Sequence, residues 1–201
     1  MRLSPRCIAF LAALSLLPVL HAPAHAVSRP ELVFSAGSTF AVAGDPNGGG
    51  MSTGLAALWP AGDRAHFGVA LSADDMGTDL GVLRDPHDGT PLGSVALGHR
   101  WVYGLAWRGD VAVLRGRRWQ GTATGQWGWW RLEDDRRGAL VHAGTSIGYS
   151  LGADVYRVLH GPQSMGLAVR YHHLFTDHSA PYRALDHYAS VALAWRWAGS
   201  R

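Results

Sequence analysis

The stretch that decides the fold is HYASVALAWRW, from His187 to Trp197, near the end of the chain. Every second position is apolar and becomes aromatic toward the end of the stretch: Ala189, Val191, Leu193, Trp195 and Trp197. The positions between them carry small residues and Arg196. Alternation with a period of two is typical of a β-strand whose two faces meet different surroundings.

The same alternation recurs in seven earlier segments of about ten residues each, so the sequence predicts eight strands. Short connections are expected near residues 60–63, 114–118 and 160–163. Longer connections, which are rich in turn-forming or charged residues, are expected at 43–50, 74–93, 133–138 and 176–185. Because short and long connections alternate, we expect an up-and-down antiparallel meander with turns at one end and loops at the other.

The composition indicates that the apolar faces meet lipid. Charged residues make up 16% of the chain, whereas soluble proteins average about a quarter. Aromatic residues gather at strand ends, as they do at membrane–water boundaries. Strands of about ten residues match the length that a spanning β-strand requires. The prediction is a closed eight-stranded antiparallel transmembrane β-barrel, with a soluble β-barrel as the alternative.

The first 26 residues are typical of a cleaved export signal. Arg2 and Arg6 precede the apolar run Cys7–Leu20, and Ala24-His25-Ala26 matches a signal-peptidase site. We therefore expect a signal over residues 1–26 and one barrel domain over 27–201. Cleavage removes Cys7, the single cysteine, and lowers the formal net charge from +3 to +1. This small charge gives no indication of a nucleic-acid partner.

Two segments carry a family resemblance, RYHHLF at Arg170–Phe175 and the final HYASVALAWRW. They resemble strands of the small eight-stranded outer-membrane β-barrel proteins of Gram-negative bacteria, of the kind related to the OmpA transmembrane domain. The resemblance implies a monomer in the bacterial outer membrane, in contact with its lipid and lipopolysaccharide. It also implies that the barrel-assembly machinery recognises the aromatic last strand, although here the tail 198–201 follows it.

Polar residues on the strand faces that point away from lipid are expected to form a network inside the barrel. The expected members are Arg64, His66, Arg100, Arg108, Asp110, Arg170, His172 and Arg196. Eight strands leave room for little more than side chains, so such residues are expected to pair and fill the lumen. Since the basic members outnumber Asp110, Gln120, Gln126, backbone carbonyls or water are expected to help satisfy them. A narrow pore is the alternative.

Catalysis is not expected. A barrel family that deacylates lipid A carries a His-x-Ser pattern, but Phe175 stands two positions after His173 and Leu174 two positions after His172. Acyl transfer needs a hydroxyl nucleophile beside its base. The acids of 74–88 lack the spacing of a calcium loop and are expected to be solvated. The acids of 133–135 are expected to lie at a solvated hairpin tip. The expected role is therefore structural or surface-interactive, with no catalytic residues, metal or cofactor, and a lipid A-modifying enzyme remains the enzymatic alternative.

Overall fold

Eight antiparallel strands run through the described part of the chain. A computed structural model of the protein describes residues 29–42, 49–136, 139–176 and 185–198. The strands are β1 (Glu31–Ala41), β2 (Gly50–Pro60), β3 (Ala65–Arg84), β4 (Pro91–Arg115), β5 (Trp119–Arg136), β6 (Ala139–Val158), β7 (Gln163–Leu174) and β8 (His187–Trp197). Each strand pairs with the next and β8 pairs with β1, which closes the sheet. The predicted closed eight-stranded antiparallel barrel is confirmed.

Some expectations concern residues beyond this description. The signal predicted over 1–26 lies outside the described residues, as do most of the loops expected at 43–50 and 176–185 and the last three residues of the tail. Within the described ranges, no helix has the length and hydropathy needed to cross a membrane.

The faces of the strands have the inside-out polarity of a membrane barrel. On β8, the outward-facing Leu193 and Trp195 are 63% and 44% exposed. Their inward-facing neighbours Ala192 and Arg196 are 5% and 6% exposed. The other strands follow the same rule, so apolar side chains cover the outside of the barrel and polar side chains enter its interior, as in other transmembrane barrels.

Both described chain ends and the three short turns lie at one end of the barrel. The turns are at residues 61–64, 116–118 and 159–162, close to the predicted positions. Gly161 has a φ of 62°, a left-handed conformation that glycine adopts without strain. Because short turns of bacterial barrels face the periplasm, we assign this end to the periplasm and the opposite end to the cell exterior.

The predicted loop at 74–93 is wrong. β3 continues to Arg84 and β4 begins at Pro91, so only residues 85–90 connect them. The two strands pair throughout, with register shifts between Asp75 and Thr78 and between Asp79 and Leu80. β-Bulges of this kind place an extra residue on one strand and interrupt the alternation of faces. In a polar strand, an interrupted alternation of apolar and polar residues cannot be distinguished from a loop by sequence, which is why residues 74–93 are predicted as a loop.

The loop predicted at 133–138 is also mostly strand. β5 extends to Arg136, and its last residues pair with the start of β6. The strands β3–β6 have 18 to 25 residues, whereas β1, β2, β7 and β8 have 11 or 12. We call the extracellular continuation of these four strands, residues 76–99, 133–136 and 139–144, the extracellular sheet.

Candidate functional site: the barrel lumen and its outer rim

A buried ion network crosses the middle of the lumen. Arg108 and Asp110 lie on β4, Asp154 on β6 and Arg170 on β7, all facing inward. Arg108 donates from Nε and Nη2 to the two oxygens of Asp110, at 2.8 and 2.9 Å, and from Nη2 to Asp154 Oδ2 at 2.8 Å. Arg170 donates to both oxygens of Asp154. Two arginines and two aspartates therefore neutralise one another across three strands.

Asp154 is the centre of this network. Its carboxylate also accepts a hydrogen bond of 2.9 Å from the hydroxyl of the fully buried Tyr156. A carboxylate holds several acceptor sites and suits such a junction. Buried charges are tolerated only when they are paired and hydrogen-bonded, and here both side chains of the Arg108–Asp154 pair are 5% exposed or less. The network fills the lumen at this level.

A second polar group lies on the extracellular side of the network. Asp74 accepts hydrogen bonds from Ser52 Oγ at 2.6 Å and from the hydroxyl of Tyr188 at 2.8 Å. The ring of His172 stacks on that of Tyr188, with centroids 4.2 Å apart. The free volume beside these residues is about 40 Å³, enough for a few water molecules at most.

An apolar cap closes the extracellular end of the lumen. Its members are buried and lie on five strands and the segment preceding β8: Met76, Val102, Ala106, Trp130, Leu132, Leu174, Leu185 and Tyr188. Gly104 makes room for the indole of Trp130, because a Cβ there would lie 2.8 Å from Trp130 Nε1. Arg100 and Asp134 form a bidentate pair at the same end, at 2.6 and 3.0 Å. The described side chains therefore block the lumen twice, by the network and by the cap.

The periplasmic end of the lumen is open. A cavity of about 920 Å³, which we call the vestibule, is lined by inward-facing polar residues that include Gln120, Thr122 and Ser164. Glu31 forms an ion pair with Arg196, and its Oε1 lies 3.3 Å from His66 Nε2. The Glu31 side chain is 19% exposed, so this ion cluster is more accessible than the network above it.

Seven of the eight side chains predicted for the lumen lie inside the barrel. His66 and Arg196 lie in the vestibule, Arg108, Asp110 and Arg170 in the network, and Arg100 and His172 nearer the cap. Arg64 is the exception. It lies in the turn before β3 and is exposed, because β3 begins one residue later than the alternation indicated.

The partners of the basic residues differ from expectation. The sequence interpretation relied on Gln120, Gln126, backbone carbonyls or water, whereas Glu31, Asp134 and Asp154 pair with the arginines. Asp154 was missed because β6 was expected to stop near Leu151. Continuing the inward phase through Ser150 and Gly152 would have placed Asp154 and Tyr156 in the lumen.

The acids expected to be solvated have several different environments. Asp74 is buried in the lumen, and Asp75 pairs with His99 Nε2 at 2.8 Å across β3 and β4. Asp134 pairs with Arg100, and Glu133 with Arg131. Asp88 does lie in an exposed turn, where hydrogen bonds from the backbone and side chain of Thr90 lower the pKa of its carboxyl. The extended pairing of β3–β6 brings the other acids to their partners.

A histidine pair lies on the outer surface at the extracellular rim. His173 on β7 and His187 on β8 are directly opposite each other in the strand register. Their Nδ1 atoms are 3.0 Å apart, and the hydroxyl oxygen of Tyr171 is 2.6 Å from His187 Nδ1. The rings of Tyr149 and Phe175 flank His173, with centroids 5.0 and 4.7 Å away. We call His173, His187 and Tyr171 the rim cluster.

Solved structures resemble this fold, although no protein-family model and no curated protein matches the chain. Neisserial surface protein A (NspA) has a TM-score of 0.61 at 12% identity, over 84% of this chain and 96% of that one. A major outer membrane protein from Thermus thermophilus has a TM-score of 0.50 at 13% identity, over 86% and 99%. The outer membrane enzyme PagL has a TM-score of 0.40 at 11% identity, over 83% and 98%.

At these identities the likeness concerns the fold alone. The fold is that of the small eight-stranded outer-membrane β-barrels, as the sequence resemblance implied. This fold agrees with the location predicted from the sequence, which is the bacterial outer membrane.

Proposed function

We propose that the protein is a sealed outer-membrane anchor that holds the extracellular sheet at the cell surface, where it has a surface-interaction role without catalysis. The observation that carries the proposal is the difference in strand length. β3–β6 exceed the roughly 9–11 residues needed to span a bilayer, while β1, β2, β7 and β8, with 11 or 12 residues, have little or no surplus. At about 3.3 Å per residue, the surplus extends on the order of 25 Å along the strands.

The extracellular sheet is held together by pairing and by salt bridges. β3 and β4 pair as far as Arg84 and Pro91, and β4 pairs with β5 as far as His99 and Asp135. The Asp75–His99 and Arg100–Asp134 pairs link adjacent strands at its base. An isolated hairpin is only marginally stable in water, so four paired strands rooted in a barrel offer a more rigid platform.

The blocked lumen favours this proposal over a narrow pore. An ion that crossed the barrel would have to separate Arg108 and Arg170 from Asp154 and also pass the apolar cap. Separating a buried ion pair is strongly unfavourable. We therefore expect no conductance steps in planar bilayers that contain the purified barrel. Regular single-channel steps would favour the pore.

The enzymatic alternative depends on His173, which faces outward at the rim. The hydrogen-bonding partner of its Nδ1 atom is the imidazole of His187, whereas acyl transfer would need a hydroxyl nucleophile. This arrangement favours the non-catalytic role. Mass spectrometry of lipid A from strains with and without the gene separates the two, because a deacylase would leave lipid A species that lack one acyl chain.

Lipid and lipopolysaccharide are the proposed surroundings of the outer surface. Arg131 faces outward on β5, its side chain is 53% exposed, and it donates to Glu133 from Nε at 2.5 Å. A guanidinium in this position can also contact phosphate groups of lipopolysaccharide. We further propose a monomer, inserted by the barrel-assembly machinery through β8, whose outward face ends in Trp195 and Trp197.

The test of the surface role removes the tip of the extracellular sheet. Replacing residues 79–98 by Asn-Gly connects the paired Thr78 and His99 through a two-residue hairpin turn. Cells that express this variant should bind at least fivefold less than wild-type cells to one or more of three coated surfaces: a polyanion, a polycation and a neutral polysaccharide. Heat-modifiable gel migration of the variant checks that the barrel folds. Equal binding to all three surfaces would contradict the surface role.

Surface exposure of the sheet can be tested separately with single cysteines. Cys7 is the only cysteine in the chain and lies within the predicted signal, so an introduced thiol is the only one in the processed protein. A membrane-impermeant maleimide should label Thr90→Cys on intact cells and leave His160→Cys, in a periplasmic turn, unlabelled. The reverse pattern would invert the assigned orientation.

A further inference from the structure

The rim cluster has too few hydrogen-bonding positions for its members. A neutral imidazole carries one N–H and one lone pair. His187 Nδ1 faces both the Tyr171 hydroxyl at 2.6 Å and His173 Nδ1 at 3.0 Å. If His187 Nδ1 accepts, two donors share one lone pair, and if it donates, two acceptors share one hydrogen. Three side chains therefore converge on one position without satisfying one another.

We propose that the rim cluster binds a divalent transition-metal ion, with zinc as the reference ion. His173 Nδ1, His187 Nδ1 and Tyr171 Oη are the protein ligands, and water completes the coordination. A metal ion accepts a lone pair from each of the three atoms, which resolves the shared hydrogen bond. Imidazole ligands favour zinc, copper and nickel over calcium and magnesium. This inference departs from the sequence-based expectation that no metal site is present.

The distance between the two histidine nitrogens is close to that in a coordinated zinc ion, and the tyrosine–histidine distance is shorter. Zinc–nitrogen bonds of about 2.0–2.1 Å in a tetrahedral site place two ligand nitrogens about 3.3 Å apart. The two Nδ1 atoms are 3.0 Å apart, and Tyr171 Oη is 2.6 Å from His187 Nδ1. Side-chain rotations that lengthen both distances to about 3.3 Å would admit the ion. The direct pairing of His173 with His187 in the register holds the two Cα atoms in place. The backbone is thus already arranged for a cross-strand metal site.

The surroundings of the rim cluster also suit a cation. Tyr149 and Phe175 pack beside His173 and restrict its ring. Asp186 is near enough to His173 to interact with it electrostatically, and a negative charge favours a bound cation. The described residues contain no group of three or more His, Cys, Asp or Glu side chains that could hold a metal. The phenol of Tyr171, whose oxygen lies 2.6 Å from His187 Nδ1, is the third protein ligand.

The rim cluster lies at the facing ends of β7 and β8. β7 ends at Leu174 and β8 begins at His187, so a bound ion would join these two strand ends. Metal binding would then fasten the extracellular ends of the two last strands. The ion would come from the external medium, because the cluster lies on the outer surface at the extracellular rim.

Titration calorimetry with zinc chloride tests the proposal on the full processed chain, purified in detergent without a histidine tag. We expect one site per chain with a dissociation constant in the micromolar range. His173→Ala and His187→Ala should each weaken zinc binding at least tenfold, and Tyr171→Phe about threefold or more. His160→Ala, which changes an exposed histidine at the periplasmic end, is the matched control and should bind as the wild type does.

Either of two results would overturn the proposal. One is a wild type that binds no zinc at millimolar concentration, and the other is equal zinc affinity in the wild type and in a folded His173→Ala variant. If the alanine variants do not fold, chemical modification of the wild type decides. Zinc should slow the reaction of His173 and His187 with diethyl pyrocarbonate at least fivefold and leave His160 unchanged. Equal rates with and without zinc would count against the site.

Discussion

The periplasmic end and the middle of the lumen are built from the same kinds of residues but in different surroundings. At the periplasmic end, Glu31, His66 and Arg196 form an ion cluster in a vestibule of about 920 Å³. Further in, Asp154 joins Arg108 and Arg170 where almost no free volume remains. Both groups are charge-paired. The difference is that water can reach and replace the interactions of the first group, while the second depends entirely on its protein partners.

This difference explains how one barrel can be open on one side and sealed on the other. Interior charges and apolar residues act in series, since the network is followed by the apolar cap toward the exterior. The network blocks ions because a passing ion would have to separate its buried ion pairs, and the apolar cap excludes water. The free energy that each layer contributes should therefore depend on its depth, and substitutions at the two ends can measure that dependence.

The largest effect is expected for Asp154→Ala. Removing this carboxylate leaves Arg108 with Asp110 alone and Arg170 without its buried partner, and removing one partner of a buried pair typically costs about 3–5 kcal/mol. The free energy of unfolding, measured by urea titration in lipid vesicles, should fall by about that amount. A loss below about 1 kcal/mol would show that water reaches the network and that the middle of the lumen does not differ from its periplasmic end.

The next largest effect is expected for Leu132→Ala in the cap. Leu132 is 2% exposed, and truncating a buried leucine costs about 2–5 kcal/mol through lost burial and the cavity left behind. Leu92→Ala is the matched control, because the same change at a side chain that is 59% exposed in the extracellular hairpin should stay within about 0.5 kcal/mol. Equal losses at the two positions, in the same urea titration, would mean that the cap is not a packed core.

The sequence predicted the strands of the barrel and their faces better than the side-chain contacts inside the lumen. Alternation identified all eight strands and the outward set around Phe34, Leu71 and Leu193, because a single residue step reverses the face of a strand. It also placed His66, Arg108 and Arg170 in the interior. Which face a residue occupies is a property of a single strand, so the sequence of that strand is enough to predict it.

The contents depend on which strands approach one another and at what height. Met76 and Leu185 lie in segments interpreted as loops, and both are fully or almost fully buried in the cap. Asp74 and Tyr188 are 114 positions apart and share a hydrogen bond. Bulges near Asp75 disrupt the local pattern that would have shown β3 continuing. Such contacts follow from closure and register, which no local periodicity contains.

A smaller effect is expected for Glu31→Gln in the vestibule. The change removes the charge that pairs with Arg196 and His66 and keeps the size of the side chain. Because the carboxylate is partly exposed, water can solvate Arg196 in its place, and exposed pairs contribute about 0–1 kcal/mol. We expect a loss of about 1 kcal/mol in the same unfolding titration. A loss as large as that of Asp154→Ala would show that the vestibule is closed to water.

The smallest effect is expected for Thr122→Val, which also lies in the vestibule. The hydroxyl of Thr122 is buried and has no hydrogen-bond partner among the described residues, and valine has nearly the same shape. Removing a polar group that makes no protein hydrogen bond should leave the free energy of unfolding within about 0.5 kcal/mol of the wild type, or raise it slightly. A loss above about 1 kcal/mol would show that the hydroxyl is bonded in solution. Ordered water or a protein group would then hold this hydroxyl in the vestibule. The difference between the periplasmic end and the middle of the lumen would be smaller than the side chains indicate.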